Sequence, residues 1–400
     1  MAKHQEDSIT TLLGIEGYGV GGVKEEGNWF LVEVARKGGK VNCPRCGGSR
    51  LYRHGKAKPR RVLHSWSRGK RIYLLMSRQR WRCRGCSQSF NEGGLLRPYS
   101  RLTRQAEEEA LWELKEHSFS QVRRRLGIGY GTLRRLLERR VNEEALSWLE
   151  GEGVISLGID EHSFRHQDMV YTITEVKRRR VLGILKDDRI ASLKAFLGKL
   201  PEEKVKEACI DMKEGLWKAI KAVFPQAKVV VDPFHIIADA NNRLDEARRL
   251  EQEVRGKRVS IPKRVFLVGR EKLQEEQRQK VDDLLGCYPN LKGFYWAKEA
   301  LRELYKQADK AMATKQLDNI ILNLKAGDDA ELVRWGNTLK HWREPILNHF
   351  DNGTTNGFTE GCHTKIKMLK RLSYGLRNVD VYARKMLLGF LPTPTYFHIN

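Results

Sequence analysis

No apolar run in this 400-residue chain is long enough to span a bilayer. The opening Met1-Ala2-Lys3-His4-Gln5-Glu6-Asp7 has no apolar stretch behind it, so a secretory leader is not expected either. Cysteine is scarce. Four of the seven sit in two close pairs, which suits a metal site in a reducing compartment better than a disulfide framework. There is no strong internal repeat and no low-complexity tract, so neither a solenoid nor long disorder is expected. The most telling shortage is of acidic residues. Fifty Asp and Glu face 74 Lys and Arg, for a net charge of +24. Residues 41–90 hold fourteen Lys or Arg and no acidic residue, with Trp66, Tyr73 and Trp81 among them. A merely soluble basic surface would not concentrate charge in this way. The pattern points to a polyanionic partner whose phosphates the cations neutralise. The length exceeds one typical core, so two or three domains are expected.

Cys43-Pro44-Arg45-Cys46-Gly47 and Cys83-Arg84-Gly85-Cys86 each place two residues between their cysteines, and thirty-six residues separate the pairs. Two such knuckles set four thiolates around one Zn²⁺, with small residues turning the backbone. Four protein ligands leave no open position, so this zinc is structural. A hairpin is expected to fill the long gap. His54 and His64 are possible substitute ligands, with solvent-facing or DNA-facing roles preferred. Residues 8–40 read as short β structure, since Phe30-Leu31-Val32-Glu33-Val34-Ala35 alternates and glycines mark turns.

Helical signals follow. Thr103 can cap a helix bearing Ala106, Ala110, Leu111 and Leu114. Ser120 can cap Gln121-Val122-Arg123-Arg124-Arg125-Leu126. Gly127 ends that helix, and another begins at Thr132. Short helix, glycine turn and basic helix make the helix-turn-helix pattern. Arg123, Arg124, Arg125, Thr132, Arg134 and Arg135 are the candidate DNA contacts, with Tyr130 beside them. The competing reading is an ordinary basic hairpin linking two domains.

Residues 154–235 then alternate: strands 154–160, 169–176 and 180–186, helix 191–200, strand 206–211, helix 214–224 and strand 228–232. Three strands followed by two strand-helix units is the order of a ribonuclease H-like domain. In that order the first strand is central and the fourth lies beside it. Asp160 and Asp211 then end neighbouring strands, about 4.8 Å apart, and can share a pair of divalent ions. Asp232 ends the fifth strand, one position further out. It is the alternate ligand, and with His235 it shapes the site or meets the scissile region. Glu360 returns on a late helix from about Phe358 to Leu372, whose face also carries His363, Thr364, Lys367 and Arg371. Lys365 and Lys370 widen its positive surface. Acidic residues at strand ends are often only turn formers, so the case rests on the set rather than on any one of them. Glu161 reads as a bystander, and His162 and His166 as surface polar residues. Residues 236–345 look all-helical, with Trp296, Trp335 and Trp342 read as core more readily than as stacking platforms. Cys209, Cys287 and Cys362 read as buried small hydrophobes.

In sum, a multidomain α/β chain is expected. An N-terminal zinc-binding β module covers 1–95 and a helix-turn-helix 96–150. A ribonuclease H-like domain begins at 151–240, is interrupted by a helical insertion at 241–350, and ends with final helices at 351–400.

The order of these motifs resembles bacterial insertion-sequence transposases of the ISL-three family. The resemblance rests on the two knuckles, the helix-turn-helix, Gly158-Ile159-Asp160-Glu161, Asp211-Met212, Asp232-Pro233-Phe234-His235 and the block from Asn356 to Gly375. One position departs from it: His363 stands where Asn is common. The resemblance implies an Asp-Asp-Glu site in which Asp160, Asp211 and Glu360 bind two Mg²⁺ or Mn²⁺ ions. It implies cleavage at the ends of a mobile element and strand transfer into target DNA. The zinc module and helix-turn-helix would hold the terminal inverted repeats. A dimer or larger assembly, cytoplasmic and nucleoid-associated in a bacterium, is expected, with no membrane partner. Two alternatives stay open: a DNA-binding regulator with an inactive nuclease-like domain, and another metal nuclease of the same fold.

Overall fold

A computed structural model describes residues 3–97, 99–144, 153–256 and 260–392. The chain divides into two compact units. One holds 1–141 with 369–376 and 391–400, and the other holds 142–368 with 377–390.

The first unit opens with helix α1 (Lys3–Leu12) and strands β1 (Tyr18–Glu26) and β2 (Trp29–Arg36). Residues 8–12 are therefore helical, not β. Ile9 and Leu13 lie four apart, which puts both on one face of a helix and against the β core. Then come β3 (Leu51–Lys56), β4 (Arg60–Ser67), β5 (Lys70–Ser77), β6 (Gln79–Cys83) and β7 (Ser89–Asn91). The expected hairpin between the knuckles is β4–β5. Arg68 and Gly69 both take positive φ at its turn, the twist that suits a two-residue hairpin loop. It joins a four-stranded sheet ordered β1-β2-β5-β4, while β3, β6 and β7 form a separate small sheet. Val20, Val32, Val34, Val62, Ile72, Leu74 and Met76 fill the core of the larger sheet.

His64 does not face solvent or DNA. It is buried on β4, its ring nitrogens 2.8 Å from the Leu13 carbonyl and 3.1 Å from Thr103 Oγ1. His54 is exposed. Three helices follow: α2 (Arg104–Glu116), α3 (Phe119–Leu126) and α4 (Tyr130–Glu144). Thr103 caps α2 as expected. The cap of α3 is Ser118 rather than Ser120. Ser118 makes a full capping box with Gln121, and that choice lets Phe119 join the buried face with Val122 and Leu126. Gly127 closes α3 in the left-handed conformation, with φ 67°. Helix α4 starts two residues before the expected Thr132.

The second unit is built on β8 (Ile155–Arg165), β9 (Asp168–Glu175), β10 (Arg180–Ile184), α5 (Ile190–Leu197), β11 (Val205–Ile210), α6 (Glu214–Val223) and β12 (Lys228–Val231). The sheet order is β10-β9-β8-β11-β12. β9 pairs antiparallel with both β8 and β10, whereas β11 lies parallel to both β8 and β12. This is the ribonuclease H-like arrangement. β8 runs five residues past Asp160, because the β8–β9 hairpin keeps pairing to Arg165 opposite Asp168. Helix α7 (Pro233–Val254) opens an all-helical stretch: α8 (Arg264–Leu267), α9 (Glu275–Cys287), α10 (Lys292–Leu304), α11 (Lys310–Ala326), α12 (Ala330–His341), α13 (Arg343–Leu347) and α14 (His349–Asn352). Trp335 and Trp342 are core there as expected, but Trp296 is exposed on α10, contrary to expectation. Cys209 and Cys362 are buried, but Cys287 is exposed at the end of α9, contrary to expectation. Helices α15 (Gly357–Leu372) and α16 (Val379–Leu388) are the last described elements.

The two faces of this sheet differ. Ile155, Leu157, Ile159, Ala208, Ile210, Val229 and Val231 belong to the main core. The alternate residues, Ser156, Gly158, Asp160, Glu207 and Cys209, point to the other face, as the two-residue period of a strand requires. α15 lies on that face, held by Thr359 and Asn356 against Gly158.

Candidate active site and zinc centre

Three parallel strands, β8, β11 and β12, run into Asp160, Asp211 and Asp232. Register makes this so: Ile210 pairs with Val231, and Cys209 with Gly158. Asp211 is in the middle. The side chain that joins Asp160 and Asp211 is His235. Their ligand atoms all lie within 4.8 Å of one another. His235 Nε2 is 2.7 Å from Asp211 Oδ1. Pro233 at the first turn of α7 starts the helix at once and carries His235 back over the strand end.

Burial, and then repulsion from Asp211, push the Asp160 carboxyl up to about 6. Two carboxylates facing each other in a half-dry site resist ionising together, and a cation relieves that cost. Asp232 is not in the group. It is buried, and burial raises it, with the main-chain N–H groups of Asn356 and Phe234 and the imidazole of His235 pulling the other way.

Glu360 is exposed in the first turn of α15, one turn ahead of His363. It is outside the three-ligand group. His363 Nδ1 is 3.4 Å from Asp160 Oδ2, so the face that carries Glu360 borders the site. Burial, reinforced by Lys367, holds His363 down at about 4, so it is neutral beside Asp160. His162 is likewise buried, not at the surface. It contacts Tyr382 Oη at 2.9 Å and Thr172 Oγ1 at 2.9 Å, with its ring 4.9 Å from that of His363. Glu161 binds Lys213 at 2.6 Å and stays outside the group.

In the first unit the four knuckle thiols converge, with Cys43 and Cys86 Sγ 3.4 Å apart and Cys46 and Cys83 Sγ 3.6 Å apart. A zinc tetrahedron with Zn–S bonds of about 2.3 Å has edges of about 3.8 Å, so the set fits that ion. The two knuckles share one backbone plan. Gly47 N donates to the Cys43 carbonyl and Ser87 N to that of Cys83, with positive φ at both turning residues. Burial would raise the Cys43 thiol, but the main-chain N–H groups of Cys46 and Arg45 pull it down to about 6, toward the thiolate that metal needs.

A family model described as a transposase of the DDE class in family ISL3 matches residues 157–386. The chain belongs to the ISL3 transposase family. The helix-turn-helix domain of that family matches residues 94–141, and the zinc finger of transposases IS204, IS1001, IS1096 and IS1165 matches 40–86. The transposase for insertion sequence element IS1001 of Bordetella parapertussis is 25% identical over 96% of this chain and 97% of its own length. That for IS1557 of Mycobacterium tuberculosis is 26% identical over 59% of this chain and 61% of its own.

In this transposase, Arg123, Arg124, Arg125, Arg134 and Arg135 are all exposed, with Thr132 half-buried. Arg125 pairs with Glu113 at 3.1 Å. Arg139 and Arg140 instead reach back to Glu107 and Glu108 and brace α4 on α2. Lys365 donates to the Gly389 carbonyl at 2.8 Å, and Lys367 is exposed. Arg371 is exposed and Lys370 half-buried on the last turn of α15.

Sequence reasoning missed the residues that seat α15. Gly158 is one. A Cβ there would lie 2.5 Å from Thr359 Oγ1 and 2.6 Å from Asn356 Oδ1. Asn356 Nδ2 also donates to the Ile159 carbonyl at 3.1 Å, and Thr359 meets Thr174 at 2.7 Å. Gly158→Ala is expected to cost about 1–3 kcal/mol by overpacking and to lower cleavage by displacing α15, read as a lower melting temperature with DNA affinity kept. Glu207 is another. It is buried, accepting from Ser156 at 2.7 Å, Thr354 at 2.8 Å and Asn352 at 3.0 Å, with Lys177 at 2.7 Å. It thus ties the loop before α15 to the sheet. Burial would raise Glu207, but these four partners outweigh it and hold the carboxyl at about 2. Its pKa is lower folded than unfolded. Its contribution to stability is therefore complete above the ordinary glutamate range and lost as pH falls toward about 2. Glu207→Gln should cost about 2 kcal/mol near neutrality, and the gap from wild type should close in acid denaturation profiles.

Proposed function

We propose that this transposase cuts the ends of its insertion sequence and joins them to target DNA, using two divalent cations, Mg²⁺ or Mn²⁺, held by Asp160, Asp211 and Glu360. The observation that carries the reading is the convergence of Asp160 and Asp211, with His235 on Asp211, at the ends of the two central parallel strands. The donors fit a hard divalent ion: two carboxylates that repel each other, in a half-buried setting. His235 lies where a positive charge is favoured, and it holds Asp211 in place. When bound, the ions lower the pKa of the attacking water or hydroxyl and neutralise the leaving oxygen.

The chain's own groups do the rest. Glu360 approaches from α15, whose start is pinned to β8 by Asn356. Asp232 anchors that pin from β12 and acts as a positioning residue. His363, neutral at working pH, packs on Asp160 without competing for its charge. In the first step water attacks the phosphorus at the element end, and a 3′-hydroxyl leaves. In the second that 3′-hydroxyl attacks a target phosphodiester and displaces the target's own 3′-oxygen, so one ester forms as one breaks. No protein–DNA covalent bond is needed.

The zinc ribbon and helix-turn-helix hold the terminal inverted repeats, with Arg123, Arg124, Arg125, Thr132, Arg134 and Arg135 as contacts. Lys365, Lys367, Lys370 and Arg371 follow phosphates along α15. Two ends must be held together, so a homodimer or larger assembly forms on DNA. Among the described residues no helix is long and apolar enough to cross a membrane, and the reading places the protein in the bacterial cytoplasm, on the nucleoid when acting. The test is incubation of labelled element-end DNA and a target plasmid with Mg²⁺ or Mn²⁺. A joined-strand product supports transposition. A cut product without joining favours a hydrolytic nuclease, and binding without either favours a regulator.

A further inference from the structure

A cleft of about 520 Å³ opens in the first unit between the end of the larger sheet and the zinc ribbon. Five cations line it: Arg36 at the end of β2, Lys37, Arg53 and Lys56 on β3, and Arg78 before β6. Glu92 is the one carboxylate there, and it already accepts the Gln79 main-chain N–H at 2.8 Å. Cations gathered around one hollow repel each other and raise the local potential for anions.

A second observation is independent of charge. Arg78 Nε and Trp81 Nε1, both on residues that line the cleft, are buried without a hydrogen-bond partner. Each is a donor only. Buried donors of this kind are normally satisfied, so each calls for an acceptor oxygen, and the five cations around the cleft favour an anionic one. The main chain is shaped for close approach. Gly38 and Gly39 take φ of 107° and 118°, and a Cβ on Gly39 would press on the Arg36 guanidinium at 3.2 Å.

We propose that this cleft seats a backbone phosphodiester of bound DNA, with Arg78 and Trp81 donating to its non-bridging oxygens and Arg53 and Lys56 flanking it. The proposal rests on the DNA-transposition reading and adds a phosphate anchor apart from the helix-turn-helix. The anchor contacts backbone alone, so it acts equally on every sequence.

The test uses the full zinc-loaded chain carrying Glu360→Ala, which removes cutting, with two fluorescent duplexes of equal length: one element end and one unrelated sequence. Affinity is measured across a range of KCl concentrations. Arg53→Gln and Arg78→Gln are each expected to lower the slope of log K against log salt by about one on both duplexes. Trp81→Phe is expected to weaken both duplexes several-fold with the slope unchanged, since it removes a donor and no charge. Arg53 is exposed, so its variant tests the site without disturbing packing, and zinc content is checked for all three. Unchanged slopes in Arg53→Gln and Arg78→Gln, with a reduced slope in Arg134→Gln, overturn the phosphate anchor and leave the transposase reading intact. Lowered slopes without any preference for the element end support the anchor and count against the end-recognition reading. Failure of the parent protein to bind either duplex overturns both.

Discussion

Asp160→Ala, Asp211→Ala and Glu360→Ala are each expected to bind element-end DNA as wild type does and to cleave it at less than about one-thousandth of the rate, a loss of about 4 kcal/mol of transition-state stabilisation. Removing one carboxylate from a shared pair leaves the ions without a fixed position, and the attacking oxygen and leaving group both depend on that position. Binding should survive, because none of the three carboxylates is itself a candidate DNA contact. Asp160→Ala should also be at least as stable as wild type. Its carboxyl is pushed up to about 6 by burial and by Asp211, so the metal-free protein is relieved of a repulsion. Asp232→Ala is the discriminating control. Its carboxylate accepts the main-chain N–H groups of Asn356 and Phe234, so its removal should lose stability as well as rate, whereas the three ligand variants lose rate alone. Single-turnover cleavage in Mn²⁺, run beside thermal melts, reads both. A Glu360→Ala protein that still cuts at wild-type rate would sink the three-carboxylate site.

The features legible in the sequence were those whose partners are close in the chain or fixed by strand period. A knuckle needs only two cysteines and a turn, and the β8–β12 alternation follows from apolar runs. The level placement of Asp160, Asp211 and Asp232 then follows from strand order. His235 was legible as a neighbour of Asp232, but its contact with Asp211 depends on Pro233 starting α7 at once. The hidden residues have distant partners. Glu207 lies in the strand-like run 206–211, where nothing nearby in the chain signals its partners. Parallel pairing places it against Ser156, and a loop more than a hundred residues later closes over it. His162 and His363 read as polar surface or as a family departure. Only the seating of α15 and α16 on the sheet buries both and supplies Tyr382. Ser118 and Ser120 are equally good caps by composition, and the buried position of Phe119 decides between them.

Loss of zinc should have the other large effect, confined to the first unit. In the small β3-β6-β7 sheet and its knuckles, residues 43–56 and 79–91, the buried residues are Cys43 and Cys83. β3 is exposed along almost its whole length. Apolar burial there is too small to offset the entropy of ordering the segment, so the metal must hold it. Zinc bound to four thiolates supplies about 10–16 kcal/mol of apparent binding free energy in modules of this kind. Cys83→Ser is therefore expected to release the zinc, unfold the ribbon and weaken binding to both element-end and unrelated DNA, with a smaller salt slope because Arg53, Lys56 and Arg78 lose their frame. The main melting transition should move little, since the catalytic unit has a separate core. Metal analysis, the salt dependence of DNA affinity and the melt are measured on one sample. A variant that loses zinc yet keeps both affinity and slope would show that the ribbon spaces the two units and does not grip DNA.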